Sequence, residues 1–418
     1  MVTSPIRPES TAPGLLAGVR VVECSMLGPG AVSTPLADLG AEVVKVESPQ
    51  GDYVRRMTWP IVEGVSLMHL HISRGKKSVV LDLRTDEGVE VFLDLVRGAD
   101  VVLEAMRPGG LERRGLGFDR LRSVNPSIVQ CTVSGYGSTG PYRNLASHGI
   151  AYDAWAGIFS PETDDAGYPA IPDHVSIGIN AAPLYAALAI LAAVIRARAT
   201  GEGCQMELAQ SDAAAAFDWY RSETYRAYER PESEVTGNAA DDYERREPAI
   251  AGMRGGVRYQ IYESADGYVL FMASEQAFWK NFCAAVGRIE LFERWPGSQY
   301  GDHARGNREL QAELAAVFRT RSTAEWVDLG IEADFPLAPV NTPRTLPDDP
   351  QFRDRFTWIP AERLGAEQLP FPLRIEGEEL PVPTRAPEVG EHTEAVLREV
   401  LGYDGARIAA LRESGALG

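Results

Sequence analysis

The chain has 418 residues, with 41 basic against 59 acidic side chains and a formal net charge of −18. That charge repels polyphosphate backbones, which excludes nucleic acid and anionic membrane as partners and leaves any phosphate-bearing ligand to a local basic patch. At this length one core stops growing, so two lobes are expected. Cys24, Cys131, Cys204 and Cys283 are scattered, without the close pairs of zinc sites or the density of a disulfide scaffold. They predict reduced thiols in a cytoplasmic protein, and no metal site is expected.

Residues 1–14 carry Pro, Ser and Thr and no apolar stretch, which reads as a disordered leader and not as an export signal. From residue 15 to about 135, β-branched runs near Val19–Cys24, Val43–Glu47, Ser78–Leu83, Val101–Glu104 and Ile128–Val133 alternate with helical patterns. This predicts an α/β fold with a mostly parallel sheet and helices on its faces. One helix is well marked: Thr85 caps it, Asp86 and Glu87 suit its positive end, Val89, Phe92, Leu93 and Val96 form its apolar stripe, and Gly98 closes it. The apolar run Ala181–Ile195 contains Pro183 and falls short of the roughly 20 residues a bilayer needs, so it is expected to be a buried core helix. A strand at Gln205–Leu208 follows. The charge-dense stretch Ser222–Glu247 marks a domain boundary, and Tyr259–Phe271 reads as a hairpin turning at Ala265-Asp266-Gly267. The expected division is a large domain over 15–222, a smaller α+β domain over 223–340, and a return to the large domain over 341–418 ending in a helix from about Glu391 to Leu401.

Gly28-Pro29-Gly30 after the first strand reads either as a turn offering backbone N–H groups to a ligand or as a structural turn. Without GxGxxG it is not a nicotinamide site. Two basic clusters stand out: Lys45 with Arg55 and Arg56, and Arg74-Gly75-Lys76-Lys77. Both are expected at the C-terminal edge of the sheet, where open α/β sheets bind ligands. They are either a phosphate site or a basic edge paired with neighbouring acids.

Together these pieces resemble the family III CoA-transferases and the related 2-methylacyl-CoA racemases. The matching blocks are Gly40–Glu47 with Gly51-Asp52 and Arg55, Arg74–Ser78 with Leu81-Asp82-Leu83, Arg107-Pro108-Gly109 with Leu116-Gly117, Ser134–Gly137 with Gly140-Pro141, Tyr259–Tyr262 with Asp266-Gly267, and Pro339-Val340-Asn341. The resemblance implies a doubly wound, Rossmann-like large domain, a small domain and an interlocked homodimer acting on acyl-CoA and carboxylic acid substrates. It carries over Lys45, Arg55, Arg74, Lys76, Lys77, Arg113 and Tyr136 as candidate partners of coenzyme A. Where family members show Asn after Glu104, this chain has Ala105.

In the family, an aspartate attacks the thioester and forms a mixed anhydride that CoA thiolate recaptures, which is nucleophilic catalysis by a carboxylate. An ungapped count places that aspartate at Ile179. Asp173, just upstream, is the nearest acid and the candidate replacement; its other reading is a turn residue after Pro172. His148-Gly149-Ile150-Ala151-Tyr152 resembles the racemase block in which the histidine is a base on the α-carbon, with Asp153 placed to orient the ring or to meet the thiol arm. Gly252, Gly255 and Gly256 are positioned like the family's glycine loop. Three functions follow: transfer of CoA between carboxylic acids, α-carbon isomerisation with His148 as base, or CoA binding without turnover. Trp219, Tyr220, Trp279 and Phe282 are expected to pack in the small domain's core, the other reading being the lining of an acyl pocket.

Overall fold

The computed structural model describes residues 14–237, 245, 253–299 and 301–418. The leader, up to residue 13, and Gly252 lie outside the described residues, as does much of the stretch around 238–252. The chain forms two compact units, 1–217 with 356–418, and 218–355.

The large unit is built on six strands: β1 (Arg20–Cys24), β2 (Glu42–Glu47), β3 (Lys76–Val80), β4 (Val101–Glu104), β5 (Val129–Ser134) and β6 (Cys204–Ala209). All neighbours run parallel, in the order β3-β2-β1-β4-β5-β6. Consecutive valines point to opposite faces, as the strand period of two requires. Val21, Val43 and Val101 belong to one core and Val22, Val44 and Val102 to the other. Both faces are therefore apolar and each needs a helical cover.

Helix α1 (Asp86–Arg97) covers the second face with Val91, Phe92, Leu95 and Val96. Thr85 Oγ accepts from Gly88 N as its N-cap, as the sequence predicts. Helix α2 (Gly178–Thr200) covers the first face with Ala186, Ile190, Val194 and Ala197. Among the described residues it is the helix with the length and apolarity of a membrane span, and its packed stripe lies on the sheet.

The small unit has a hairpin, β7 (Gln260–Glu263) and β8 (Tyr268–Phe271), extended antiparallel by β9 (Leu337–Pro339). Helices α3 (Gln276–Ala285), α4 (Arg308–Phe318) and α5 (Thr323–Ala333) supply Trp279, Phe282, Phe318 and Trp326 to its core, all fully buried. Gly255 and Gly256 lie in a turn bonded to Gly306 N and Met253 O.

Three expectations are corrected. The small unit extends from 218 to 355, not 223 to 340, because the segment after β9, through the helix Pro350–Arg355, stays with it. The chain does not end near Leu401: helix α6 (Gly405–Glu413) follows and returns Ile408 and Leu411 to the α1 face. The strand expected at Ser78–Leu83 begins at Lys76, which places Arg74–Lys77 at the N-terminal end of β3 and not at the ligand-binding edge.

The interior of the large unit carries paired charge. Glu23, at the end of β1, accepts from Lys45 of β2 (3.1 Å), Lys76 of β3 (2.9 Å) and Ser25 Oγ (2.7 Å), and also from Ser33 Oγ. Burial opposes ionisation of Glu23, but Lys76 and Lys45 outweigh it and hold the carboxyl at about 2, below its ordinary 4.5. A carboxyl lowered on folding contributes stability that is complete above about pH 4.5 and lost as pH falls towards 2. Glu23→Gln should lower the unfolding free energy at pH 7 by about 3–5 kcal/mol, the loss expected when a buried ion pair is broken from one side. In urea titrations the variant should also show a shallower acid loss than the parent between those pH values.

Candidate active site

In the strand order, β1 is flanked by β2 and β4, so the connections leave its two sides in opposite directions. The crevice outside the carboxyl ends of β1 and β4 is the topological switch point, where open α/β sheets bind ligands. Three segments form its surroundings: the loop after Cys24, the loop after Glu104, and the long loop after Ser134.

The first loop is pinned from beneath. Lys45 Nζ donates to Ser25 O (2.7 Å) and Asp52 (3.1 Å), and Lys76 Nζ to Gly30 O (2.6 Å). Asp52 accepts from Leu27 N (3.2 Å). Leu27 has φ 57 and ψ −142, a backbone region non-glycine residues rarely adopt. Gly28–Val32 is a short 3-10 turn held by these bonds, so Gly28-Pro29-Gly30 acts as a structural turn.

The buried pairs settle where the expected phosphate ligands stand. Lys45 pairs with Asp52 and Glu23, Lys76 with Glu23, Arg55 with Glu47, and Arg74 with Asp38 (2.7 Å), all buried. Arg74 also donates to Gln368 and Leu369 O, and Arg55 to Pro387 O. Four cations thus meet four carboxylates, Glu23, Asp38, Glu47 and Asp52, in the interior of the large unit. Lys77 is partly exposed but pairs with Glu42 (2.6 Å) at the start of β2, the opposite end of the sheet. All five cations have acid partners that the local sequence does not show, because those acids reach them only in the fold.

Arg113 is different. It is exposed in the turn Glu112–Arg114 after β4, with Nη1 donating to Pro108 O (3.0 Å). Gly109 makes the approach possible: its φ is 75, and a Cβ there would lie 3.0 Å from Arg113 Nη1. Arg107, exposed in the same loop, adds a second guanidinium that sequence reasoning quoted but gave no role. Beside them Glu104 is buried, accepting from Thr132 Oγ1 (2.7 Å) and Met106 N (2.8 Å). Burial pushes its carboxyl up in spite of those bonds.

The loop after β5 holds Tyr136, half-buried, with its ring centroid 5.7 Å from Tyr142, 5.8 Å from Tyr152 and 6.3 Å from Trp155. A Cβ on Gly135 would strike Ser147 Oγ at 2.4 Å, so glycine is required there. His148 is exposed, and its ring has no hydrogen-bond partner among the described residues.

Asp153 does not orient it. Fully buried, it accepts from Gly178 N (2.7 Å) and Ser176 Oγ (2.6 Å) and faces His174 Nε2 at 3.4 Å. It thereby caps the start of α2 from 25 residues upstream. His174 Nδ1 lies 3.0 Å from Pro172 O and its ring 4.5 Å from Phe159, so both ring nitrogens face acceptors and the histidine clamps the segment before α2. Neither Asp153 nor His174 was assigned this role from the sequence, since the cap lies far from the helix it serves. Ile179 is the second residue of α2, and Pro183 lacks the N–H that would bond its carbonyl. Asp173 is exposed in the segment before the helix, without a hydrogen-bond partner among the described residues.

The model of the CoA-transferase family III matches residues 16–393. The chain belongs to that family. It is 30% identical to the succinate–glutarate CoA-transferase of Agrobacterium fabrum, over 92% of this chain and 95% of that one. It is 31% identical to a probable fatty acyl-CoA transferase of Mycobacterium tuberculosis, over 93% and 99%. A crystal structure of a CaiB/BaiF family protein from Brucella suis superposes with a TM-score of 0.73 at 27% identity, covering 93% of this chain and all of that one. This family III chain is thus an enzyme of CoA thioesters, with the family's sheet, a position 179 that is aliphatic, and a capped helix start beside it.

If Asp153 holds that start, Asp153→Asn should lower the unfolding free energy by about 1.5–3 kcal/mol, the range for hydrogen bonds to a charged group. It should also speed amide hydrogen exchange in the first turn of α2. Unchanged exchange at residues 178–181 would contradict the capping role.

Proposed function

We propose that the chain transfers CoA from an acyl-CoA to a carboxylic acid in the switch-point crevice, with Arg113 and Arg107 meeting the CoA phosphates, Tyr136 packing against the CoA arm, and Asp173 as the attacking carboxylate. The observation that carries the last assignment is one of accessibility. Ile179 has no nucleophilic atom, Asp153 is buried with both oxygens engaged, and Asp173 is an exposed carboxylate in the segment that leads into α2.

The chemistry balances as two exchanges. An Asp173 oxygen attacks the thioester carbonyl, the C–S bond breaks, and CoA thiolate leaves a mixed anhydride. The thiolate attacks the Asp173 carbonyl, releasing the first acid and leaving CoA on Asp173 as a thioester. The acceptor carboxylate then attacks that thioester and expels the thiolate again. The thiolate takes the acceptor's acyl carbon, so Asp173 returns as a carboxylate and a new acyl-CoA departs.

The relatives' names point to succinyl donors and to dicarboxylic or fatty acid acceptors, so succinyl-CoA is the first donor to assay. In such an assay Asp173→Ala should abolish transfer, at least about 10³-fold, and adding Ile179→Asp to that variant should restore part of it. Arg113→Ala should raise the KM for the CoA ester about tenfold, the value of one charge-assisted contact. Full activity of Asp173→Ala would remove the assignment. α-Deuterium uptake from heavy water without any acceptor acid would favour the isomerase reading instead, in which His148→Ala should cost 10²–10⁴-fold, the usual range (~) for a general base. No observation favours that reading, since nothing orients His148; under the transfer reading the substitution stays within about threefold.

We also assign the chain to an interlocked homodimer in the cytoplasm. Leu184, Leu188 and Ile195 support the dimer, forming an exposed stripe on α2 at 59, 66 and 71% exposure, which is apolar surface a partner would cover. The four free cysteines accord with a reducing compartment. Leu188→Glu should shift the sedimentation coefficient towards that of a monomer, while an unshifted dimer would place the interface elsewhere.

A further inference from the structure

The amino-terminal end of the sheet carries a cavity of about 460 Å³ that the transfer chemistry does not use. It lies in the range of small-molecule pockets, about 300–1,000 Å³. Its floor is apolar: Val22 and Val44 from β1 and β2, Leu95 and Ala99 from the end of α1 and beyond, and Leu401 from the returning C-terminal segment. Its wall is Tyr403, whose hydroxyl donates to Asp94 (2.5 Å) and whose ring is covered by the Arg407 guanidinium at 3.6 Å.

The rim is cationic in a chain that is strongly acidic overall. Arg20, Arg97 and Arg407, each about half exposed, stand against two carboxylates, Glu42 and Asp94. Lys77 adds a fourth cation on Glu42. Arg97 lies in the last turn of α1, where it offsets the partial negative charge of the helix end. Arg20 and Arg407 are freer. Arg20 engages Glu42 through Nε (3.1 Å) and Arg407 engages Asp94 through Nη2 (3.2 Å). Their other guanidinium nitrogens have no hydrogen-bond partner among the described residues.

An apolar floor beneath paired guanidiniums is complementary to one chemistry, an amphiphile with a hydrocarbon body and a single carboxylate. We propose that this cavity binds a free carboxylic acid, with its carboxylate on Arg20 and Arg407 and its chain over Val22, Val44 and Leu401. The site lies a strand length, about 17 Å, from the switch-point crevice, so it is separate from the chemistry. Its ligand class is that of the acids the family exchanges, which makes it a place where an acid is sensed without being converted. The binding claim does not depend on which carboxylate attacks the thioester.

Isothermal titration of the full chain with octanoate, alone and with saturating CoA, tests this. Octanoate should bind in both conditions with the same affinity, and Arg20→Ala with Arg407→Ala should weaken it at least tenfold while the melting temperature of the chain is kept. Arg407→Gln alone, which retains the side-chain bulk over Tyr403, should weaken it by a smaller factor. Absence of binding, loss of binding when CoA is present, or undiminished affinity in the double variant would each overturn the proposal. Since no turnover is read, failure here is distinct from failure of the transfer assignment.

Discussion

One carboxylate joins three strands. Glu23, at the carboxyl end of β1, takes a lysine from β2 and a lysine from β3 and closes with serines of the loop that follows it. A buried charge in low dielectric is costly unless matched, and here each cation meets an acid. The consequence is mechanical as well as electrostatic. Lys45 and Lys76 reach past Glu23 to the carbonyls of Ser25 and Gly30, so the first loop of the crevice is tied to the sheet edge. That tie holds Leu27 in a backbone region it would otherwise leave. The family's basic motifs thus tie the first loop of the crevice to the sheet, while Arg107 and Arg113 after β4 stay exposed.

The other side of the crevice is fixed by a second buried acid. Asp153 supplies the start of α2 with the acceptor that its own sequence lacks, and His174 and Ser176 complete the clamp. A helix start so held places residue 179 reproducibly, which is what a nucleophile at that position would need. This chain keeps the support while carrying isoleucine there. The proposed transfer therefore looks to a carboxylate outside the clamp, and Asp173 is an exposed acid in the segment that precedes it.

The strands and α1 were legible in the sequence because β-branched runs and a capped 3.6-residue stripe are local signals, and Thr85, Phe92 and Val96 sit where the pattern puts them. What was not legible has a common physical cause. Lys76 counts as a solvent-facing residue until its acid, 53 positions away, is folded against it. That is why β3 starts two residues earlier than the apolar run suggests, and why the lysines and arginines read as a ligand edge. The cap of α2 is missed for the same reason, its acceptor lying 25 residues upstream. Arg113 needed no long-range partner: its turn, its glycine and its exposure are all encoded within a few residues. The return of the tail to the large unit was legible, but α6 was not, since Ile408 and Leu411 find their core against residues of β1, β2 and α1 far away in the sequence.

A crystal structure with CoA bound tests most directly the division between charge that builds the wall and charge that meets the ligand. The diphosphate should lie against Arg107 and Arg113, with Lys45 Nζ still about 3 Å from Glu23 and Asp52, as any intact charge-assisted bond would be. A CoA phosphate bonded to Lys45 or Lys76, with Glu23 released, would contradict it.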